Sequence, residues 1–219
     1  MSQTFILKLA TDNLMSDANK LGVTHQKLME ISVEVTVDLY QDAEVSATQA
    51  SLSLNYDIRL SEQTLSEQLQ WPSWHKNNVG FKDYLWEQTC LECFVTDQKK
   101  GYIEINASPN GQYAIYQFED YRTPDTLPPS PLSLADHRHQ ASIKWDYCSI
   151  TDTCTQNSRQ CSFHLPLAQL PYELLLESST YIHPCVILCF GETSLYFAPN
   201  HASPADFHNR RYWSAFDNH

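Results

Sequence analysis

The sequence predicts an all-β protein, an antiparallel β-sandwich of two sheets with little helix. Two observations support this prediction: short runs of alternating apolar and polar residues recur along the chain, and turn residues separate them. No long helical crossover lies between these runs, so parallel strand pairs are not expected. The chain has 219 residues, 42% of them hydrophobic, and we expect a single domain over residues 1–219.

The strands follow from the alternation, one run after another. In residues 30–40, five aliphatic side chains share one face and polar side chains share the other, as in a half-buried strand. The other predicted strands are residues 50–60, 89–96, 102–107, 111–119, 140–147, 160–165, 181–190 and 193–198. Residues 61–70 predict a short helix, and residues 12–27 predict either a helix or an ordered loop.

Two segments fall outside this pattern. Residues 1–29 are expected to form an N-terminal extension or an edge strand. Residues 123–131 contain four prolines and predict a surface loop, because proline cannot donate to a strand ladder.

Charge excludes two classes of partner. The net charge is −12 at pH 7, and no cluster of Lys or Arg could hold a nucleic-acid backbone or an anionic membrane surface. No apolar stretch reaches the length of a membrane helix. The first residues lack a basic start and a long apolar run, which makes a poor signal peptide, so we expect a cytoplasmic protein.

The seven cysteines are interpreted as reduced thiols. Cys90 and Cys93 are three apart in a predicted strand, so their side chains point to opposite faces. Cys185 and Cys189 share a face but lie about 13 Å apart along an extended strand, too far to hold one zinc ion.

The segment from residue 84 to residue 122 contains the candidate site. Pro109-Asn110-Gly111 predicts a type I turn followed by a glycine bulge. We prefer it to a two-residue loop, which would move the side chains of the second strand to the opposite face of the sheet. In that register one face of the hairpin gathers Tyr102, Glu104, Asn106, Ala114, Tyr116 and Phe118.

Glu92 is predicted to share a face with Glu104 on the neighbouring strand. Carboxylates and amides beside aromatic rings are typical of saccharide sites. We therefore interpret Glu92, Glu104 and Asn106 as polar ligand contacts. Trp86 and Tyr116 are interpreted as stacking surfaces, and Arg122 as the cation that neutralises or positions one carboxylate. The alternatives are a solvated outer face and carboxylates held by an internal arginine such as Arg122.

Three motifs resemble bacterial DOMON-like proteins, which are relatives of the family 9 carbohydrate-binding modules. They are Leu-Trp-x-x-Thr-Cys-x-Glu-x-Phe at residues 85–94, Tyr-x-Glu-x-Asn-x-Ser-Pro-x-Gly-Gln at residues 102–112, and Tyr-x-Phe-x-x-Tyr-Arg at residues 116–122. Residues 191–198 and the ending Pro204-Ala205-Asp206-Phe207-His208 extend the resemblance over roughly residues 31–216. It implies a β-sandwich of the DOMON and carbohydrate-module type.

Several alternatives stay open. Haem ligation by His and Met is disfavoured because the three methionines precede the first clear strand, but ligation by two histidines remains. No calcium-loop motif occurs. His137 and His139 form a candidate metal pair, although an exposed pair without a third ligand is preferred.

Asp206 and His208 could bind a metal or orient a ligand, and we favour a structural clasp. A further hypothesis is that Glu92 and Glu104 act as the paired carboxylates of a glycosidase. We expect a non-catalytic module for a saccharide or other small ligand, with a haem or redox-cofactor carrier and a structural or interaction domain as alternatives. The sequence predicts no particular ligand and no oligomeric state.

Overall fold

The computed structural model describes residues 2–40, 50–96, 101–134, 138–146, 156–170 and 180–216. Most of their regular structure is β-strand, so the all-β prediction is confirmed. The strands are β1 (Ser2–Leu9), β2 (Ser32–Tyr40), β3 (Ser51–Arg59), β4 (Gly80–Phe81), β5 (Cys90–Thr96), β6 (Tyr102–Ala107), β7 (Gln112–Phe118), β8 (Lys144–Trp145), β9 (Ser158–Pro166), β10 (Thr180–Phe190), β11 (Thr193–Ala198) and β12 (Ser214–Phe216). The helices are α1 (Leu14–Leu21), α2 (His25–Met29) and α3 (Gln63–Gln68).

The strands form one continuous hydrogen-bonded path in the order β4-β7-β6-β5-β10-β11-β1-β2-β3-β9-β8, with β12 beside β10. The expectation of antiparallel pairs alone is wrong at one place: β4 pairs with β7 in parallel, which makes the sheet mixed, whereas the other pairs of described strands are antiparallel. It is also strongly curled. Four strands separate β5 from β3 along the path, yet the Tyr56 hydroxyl on β3 donates to the Glu92 carbonyl oxygen on β5 at 2.8 Å.

Alternation in the sequence decides which strands are half-buried. On β2, Val33, Val35 and Val37 are buried, and the residues between them reach solvent to varying degrees. Both faces of β5 and β6 are buried instead. The larger core, which includes Leu91 and Ile105, covers one face of these two strands. A smaller aromatic-rich cluster covers the other face.

The hairpin between β6 and β7 has the predicted register. Ala107 pairs with Tyr113 and Ile105 with Ile115, and Gly111 takes a φ of +105°, which glycine adopts without a steric penalty. The bulge prediction is therefore confirmed, and with it the shared face of residues 102, 104, 106, 114, 116 and 118.

Two other predictions about the cysteines and the short helix hold. Cys93 belongs to the larger core and Cys90 to the smaller cluster, so they do point to opposite faces. The predicted helix at residues 61–70 is present as α3.

The N-terminal segment differs from the expected extension or edge strand. Residues 2–7 of β1 pair with β2, while Lys8 and Leu9 pair with β11, so β1 joins two parts of the sheet. Residues 14–29 form the two short helices α1 and α2. Residues 140–147 contain a shorter strand than predicted, namely β8. None of the helices in the described ranges is long and apolar enough to cross a membrane.

Candidate functional site

A cavity of about 460 Å³ opens on the outer face of β5 and β6. Its floor contains Glu92 and Glu104, which are only 3% and 5% exposed. Its rim contains Leu127 and Tyr196, which are 75% and 38% exposed. The two carboxyl groups thus lie at the bottom of one concavity that reaches solvent.

The strand ladder places the floor residues. Glu92 pairs with Asn106, and Phe94 pairs with Glu104. Because side chains alternate along a strand, Glu92, Phe94 and Glu104 all point to the same face. Several members of the smaller aromatic-rich cluster line the cavity on that face, namely Phe94, Phe118, Ile187 and Phe207.

Trp86 forms part of the wall and is held in place by other rings. It lies on a short 3₁₀ turn, Leu85–Glu87, and it is half-buried. Its ring packs edge-on against Tyr84 at 5.3 Å and against Tyr116 at 5.8 Å between centroids. These contacts fix the indole while part of its surface faces the cavity.

Two segments that are far apart in the chain form the wall of the cavity opposite Trp86. Residues 124–127 and 129 follow β7, and residues 205–208 follow β11; both groups line the cavity. The Arg122 guanidinium donates to Asp206 Oδ1 at 3.0 Å, and the Tyr121 hydroxyl donates to Asp206 Oδ2 at 2.8 Å. These bonds join the two segments.

Arg122 therefore differs from its predicted role. Its guanidinium is paired with Asp206 and not with Glu92 or Glu104. At longer range its charge still lowers the pKa of Glu104. The hydrogen bonds from Tyr121 and Arg122 lower the pKa of Asp206 despite the opposing effect of burial.

The two floor carboxyl groups have raised pKa values. Burial raises the pKa of Glu104 to about 7, although the Asn106 amide, which donates to Glu104 Oε1 at 2.7 Å, acts in the opposite direction. Burial, and then repulsion from Glu104, raises the pKa of Glu92 well above its ordinary value. Near neutral pH the pair therefore holds protons that exposed carboxylates would have lost.

His208 lies beside Glu104 and is neutral. Its Nδ1 is 2.7 Å from the Tyr102 hydroxyl, and its Nε2 is 3.7 Å from Glu104 Oε2. Burial, followed by the positive charge of Arg122, lowers the pKa of His208 to about 3. The Tyr102 hydroxyl also accepts a hydrogen bond from the backbone N–H of Arg122 at 3.1 Å.

The clasp predicted for Asp206 and His208 agrees with these bonds, because they attach the C-terminal segment to β6 and to the turn after β7. Both residues also line the cavity.

Four of the six predicted site residues line the cavity: Trp86, Glu92, Glu104 and Arg122. Asn106 is fully buried behind Glu104 and acts through it. Tyr116 is also fully buried, so its ring offers no surface to a ligand and its predicted stacking role is wrong. It supports Trp86 from below, and its hydroxyl donates to Asp83 Oδ1 at 2.8 Å.

The sequence reasoning missed several wall residues. Phe94 lies on the same face as Glu92, but it was not predicted to be a ligand contact. Phe118, Tyr196 and Phe207 also contribute rings to the wall. The proline-rich segment was expected to be a surface loop, and nothing in its pattern indicates that it would border a cavity.

The candidate metal pair of His137 and His139 stays a prediction. His137 lies outside the described residues, and His139 is exposed. Across the described ranges, no group of three or more His, Cys, Asp or Glu residues is arranged to hold a metal ion.

Comparison with known proteins shows a likeness in fold. No family model matches the sequence, and no curated protein matches it. Among solved structures, 21 chains match. One is the 2.70 Å crystal structure of a candidate carbohydrate-binding protein from Bacteroides uniformis, with a TM-score of 0.51 and 13% sequence identity.

That match covers 97% of this chain and 84% of the other. At this identity the likeness shows the fold alone: the chain has the β-rich fold of a candidate carbohydrate-binding protein.

Proposed function

We propose that this protein is a non-catalytic binding module and that the cavity over β5 and β6 takes a saccharide. The observation that carries the proposal is the composition of the cavity. Buried carboxyl groups lie at its floor, and a half-buried indole, fixed edge-on by two tyrosines, lies in its wall. Sugars present both hydroxyl groups and apolar C–H faces, so a site that combines these side chains suits them.

The size of the cavity agrees with this proposal. About 460 Å³ lies within the range of small-molecule sites, which is roughly 300–1,000 Å³. The likeness in fold to a candidate carbohydrate-binding protein supports the same class of function.

The finer architecture is part of the proposal. The contact between Tyr56 and Glu92 brings two parts of the curled sheet face to face, as in a sandwich. Together with the motifs at residues 85–94 and 102–112, this contact supports a DOMON-like sandwich related to the family 9 carbohydrate-binding modules.

We also propose a cytoplasmic location, which is supported by the free, buried thiols of Cys90, Cys93, Cys185 and Cys189. Subcellular fractionation tests it, and recovery of the protein outside the cytosolic fraction would contradict it.

Isothermal titration calorimetry with a panel of mono- and oligosaccharides at millimolar concentration tests the function. We expect at least one sugar to bind. Trp86→Ala should lower the affinity for that sugar by about tenfold, which is the contribution expected of one aromatic contact. Trp145→Ala is the matched control, because Trp145 packs against Phe163 away from the cavity and should leave affinity unchanged.

Two results would overturn the proposal. If no sugar binds and a haem spectrum shifts when protein is added, the site belongs to a cofactor carrier. If neither ligand binds while Glu104→Gln changes stability, the carboxyl groups serve a structural or interaction domain.

A further inference from the structure

We propose that the cavity selects sugars that carry a primary ammonium group, with Glu92 and Glu104 as its acceptors. This inference rests on the proposed function and names the class of saccharide. Three features of the described residues support it: the balance of charge around the cavity, the free acceptor atoms at its floor, and the rings in its wall.

The charge balance favours a cation. Four carboxylic residues line the cavity: Glu92, Glu104, Asp125 and Asp206. Within the described ranges, Arg122 is the one lining residue with a permanent positive charge, and Asp206 holds its guanidinium at 3.0 Å. His208, the remaining basic side chain of the lining, is neutral near pH 7. Among the residues that the structure describes, the floor carboxyl groups therefore have no cationic side chain in contact with them.

Acceptor atoms remain available at the floor. The Asn106 amide donates to Glu104 Oε1. His208 Nε2 lies 3.7 Å from Glu104 Oε2, which is beyond hydrogen-bond distance. Glu92 is 97% buried, with 3% of its surface exposed. Among the described residues its side chain receives only the weak thiol donor of Cys90. An ammonium group has three donors and could bond to both carboxyl groups at once. Because the pair holds protons near neutral pH, binding of the ammonium group releases protons from the carboxyl groups to the solvent.

The wall suits the same ligand. The half-buried ring of Trp86 lines the cavity together with the two carboxyl groups, and a cation is attracted to the face of such a ring. An anionic sugar, in contrast, would meet the two glutamates with no free arginine or lysine among the described lining residues to balance its charge.

Calorimetry on the wild-type protein with glucose, 6-amino-6-deoxyglucose, glucosamine, N-acetylglucosamine and glucose 6-phosphate tests the proposal. We expect at least one of the two amino sugars to bind about tenfold or more tighter than glucose, as for a charge-assisted hydrogen bond. N-acetylation should abolish the gain, because it removes the positive charge. Glucose 6-phosphate should bind more weakly than glucose.

Three variants locate the effect. Glu92→Gln and Glu104→Gln should each reduce the preference for the amino sugar over glucose. Glu34→Gln removes an exposed carboxylate of β2 and should keep the preference. If a variant fails to fold, the affinities of the wild-type protein for the amino sugars and for glucose still test the proposal.

The inference and the proposed function fail in different ways. Equal affinity for glucose and both amino sugars, or tighter binding of the phosphate, would overturn the ammonium proposal and leave saccharide binding in place. If none of these sugars binds but an oligosaccharide of the wider panel does, the ammonium proposal alone fails. Absence of binding by every sugar would overturn both.

Discussion

Replacing Glu104 with glutamine should stabilise the protein at alkaline pH but not at acid pH. The pKa of Glu104 is raised from 4.5 to about 7 in the folded protein, first of all by burial. Between these values the folded state holds a proton that the unfolded chain has lost, so stability is full below pH 4.5 and falls as the pH rises toward 7. A tenfold change in acidity corresponds to about 1.4 kcal/mol, so the loss reaches about 3 kcal/mol.

Glutamine removes this penalty, and its side-chain carbonyl can still accept the hydrogen bond from Asn106. The substitution also removes the repulsion that Glu104 exerts on Glu92, which acts in the same direction. Relative to wild type, the gain near pH 8 should therefore exceed the gain near pH 4.5 by about 3 kcal/mol. For a protein of this size that is about 6–12 °C in Tm.

Urea unfolding of wild type and Glu104→Gln at a series of pH values measures the difference. Glu34→Gln is the matched control, because Glu34 is exposed on β2 and should change stability by only about 0.5 kcal/mol or less at any pH. A gain that is the same near pH 4.5 and pH 8, or a loss near pH 8, would refute the raised pKa.

Three further substitutions test other parts of the structure by chemical denaturation. Tyr56→Phe leaves the buried carbonyl of Glu92 without its hydroxyl partner and should cost about 1–3 kcal/mol; no change would show that this contact does not hold the curled sheet. His183→Phe should stabilise the protein by about 1 kcal/mol or more, because both ring nitrogens are buried without a hydrogen-bond partner in the described part of the chain. Its ring stacks on Trp213, and burial lowers its pKa to about 4. The gain should grow as the pH falls from 6.5 toward 4, and a shrinking gain would contradict this. Gly111→Ala should cost about 1–3 kcal/mol because of its φ of +105°, and an unchanged Tm would show that the bulge relaxes.

Local pattern was sufficient to predict most strands and one hairpin. Alternation fixes the period of a strand, and the turn Pro109-Asn110-Gly111 fixes the register of β6 against β7. The shared face of Glu92 and Glu104 follows from these two facts and from the pairing of β5 with β6.

Other features depend on contacts between distant parts of the chain. The position of β1 between β2 and β11 and the contact of β3 with β5 leave no mark on the local pattern. The alternation of apolar and polar residues also does not reveal which part of the chain packs over a given face of the sheet. Tyr116 was correctly placed beside Glu104, but the turn at residues 85–87 covers it, so it supports Trp86 instead of a ligand.

The far wall of the cavity was beyond local prediction for the same reason. Residues 124–129 and 205–208 meet through Arg122 and Asp206, which are 84 positions apart. The ending at residues 204–208 was the available signal for this wall, since its resemblance to known modules singled it out before its position was known.

Carboxyl ¹³C NMR of the glutamate side chains shows directly whether a ligand binds at the floor of the cavity. The variants Glu92→Gln and Glu104→Gln assign the two signals. Titration with the tightest sugar of the calorimetric panel should shift the Glu92 and Glu104 signals along the same saturation curve as the heat. Saturable binding that leaves both signals in place would show that the ligand binds elsewhere and that this cavity is not the site.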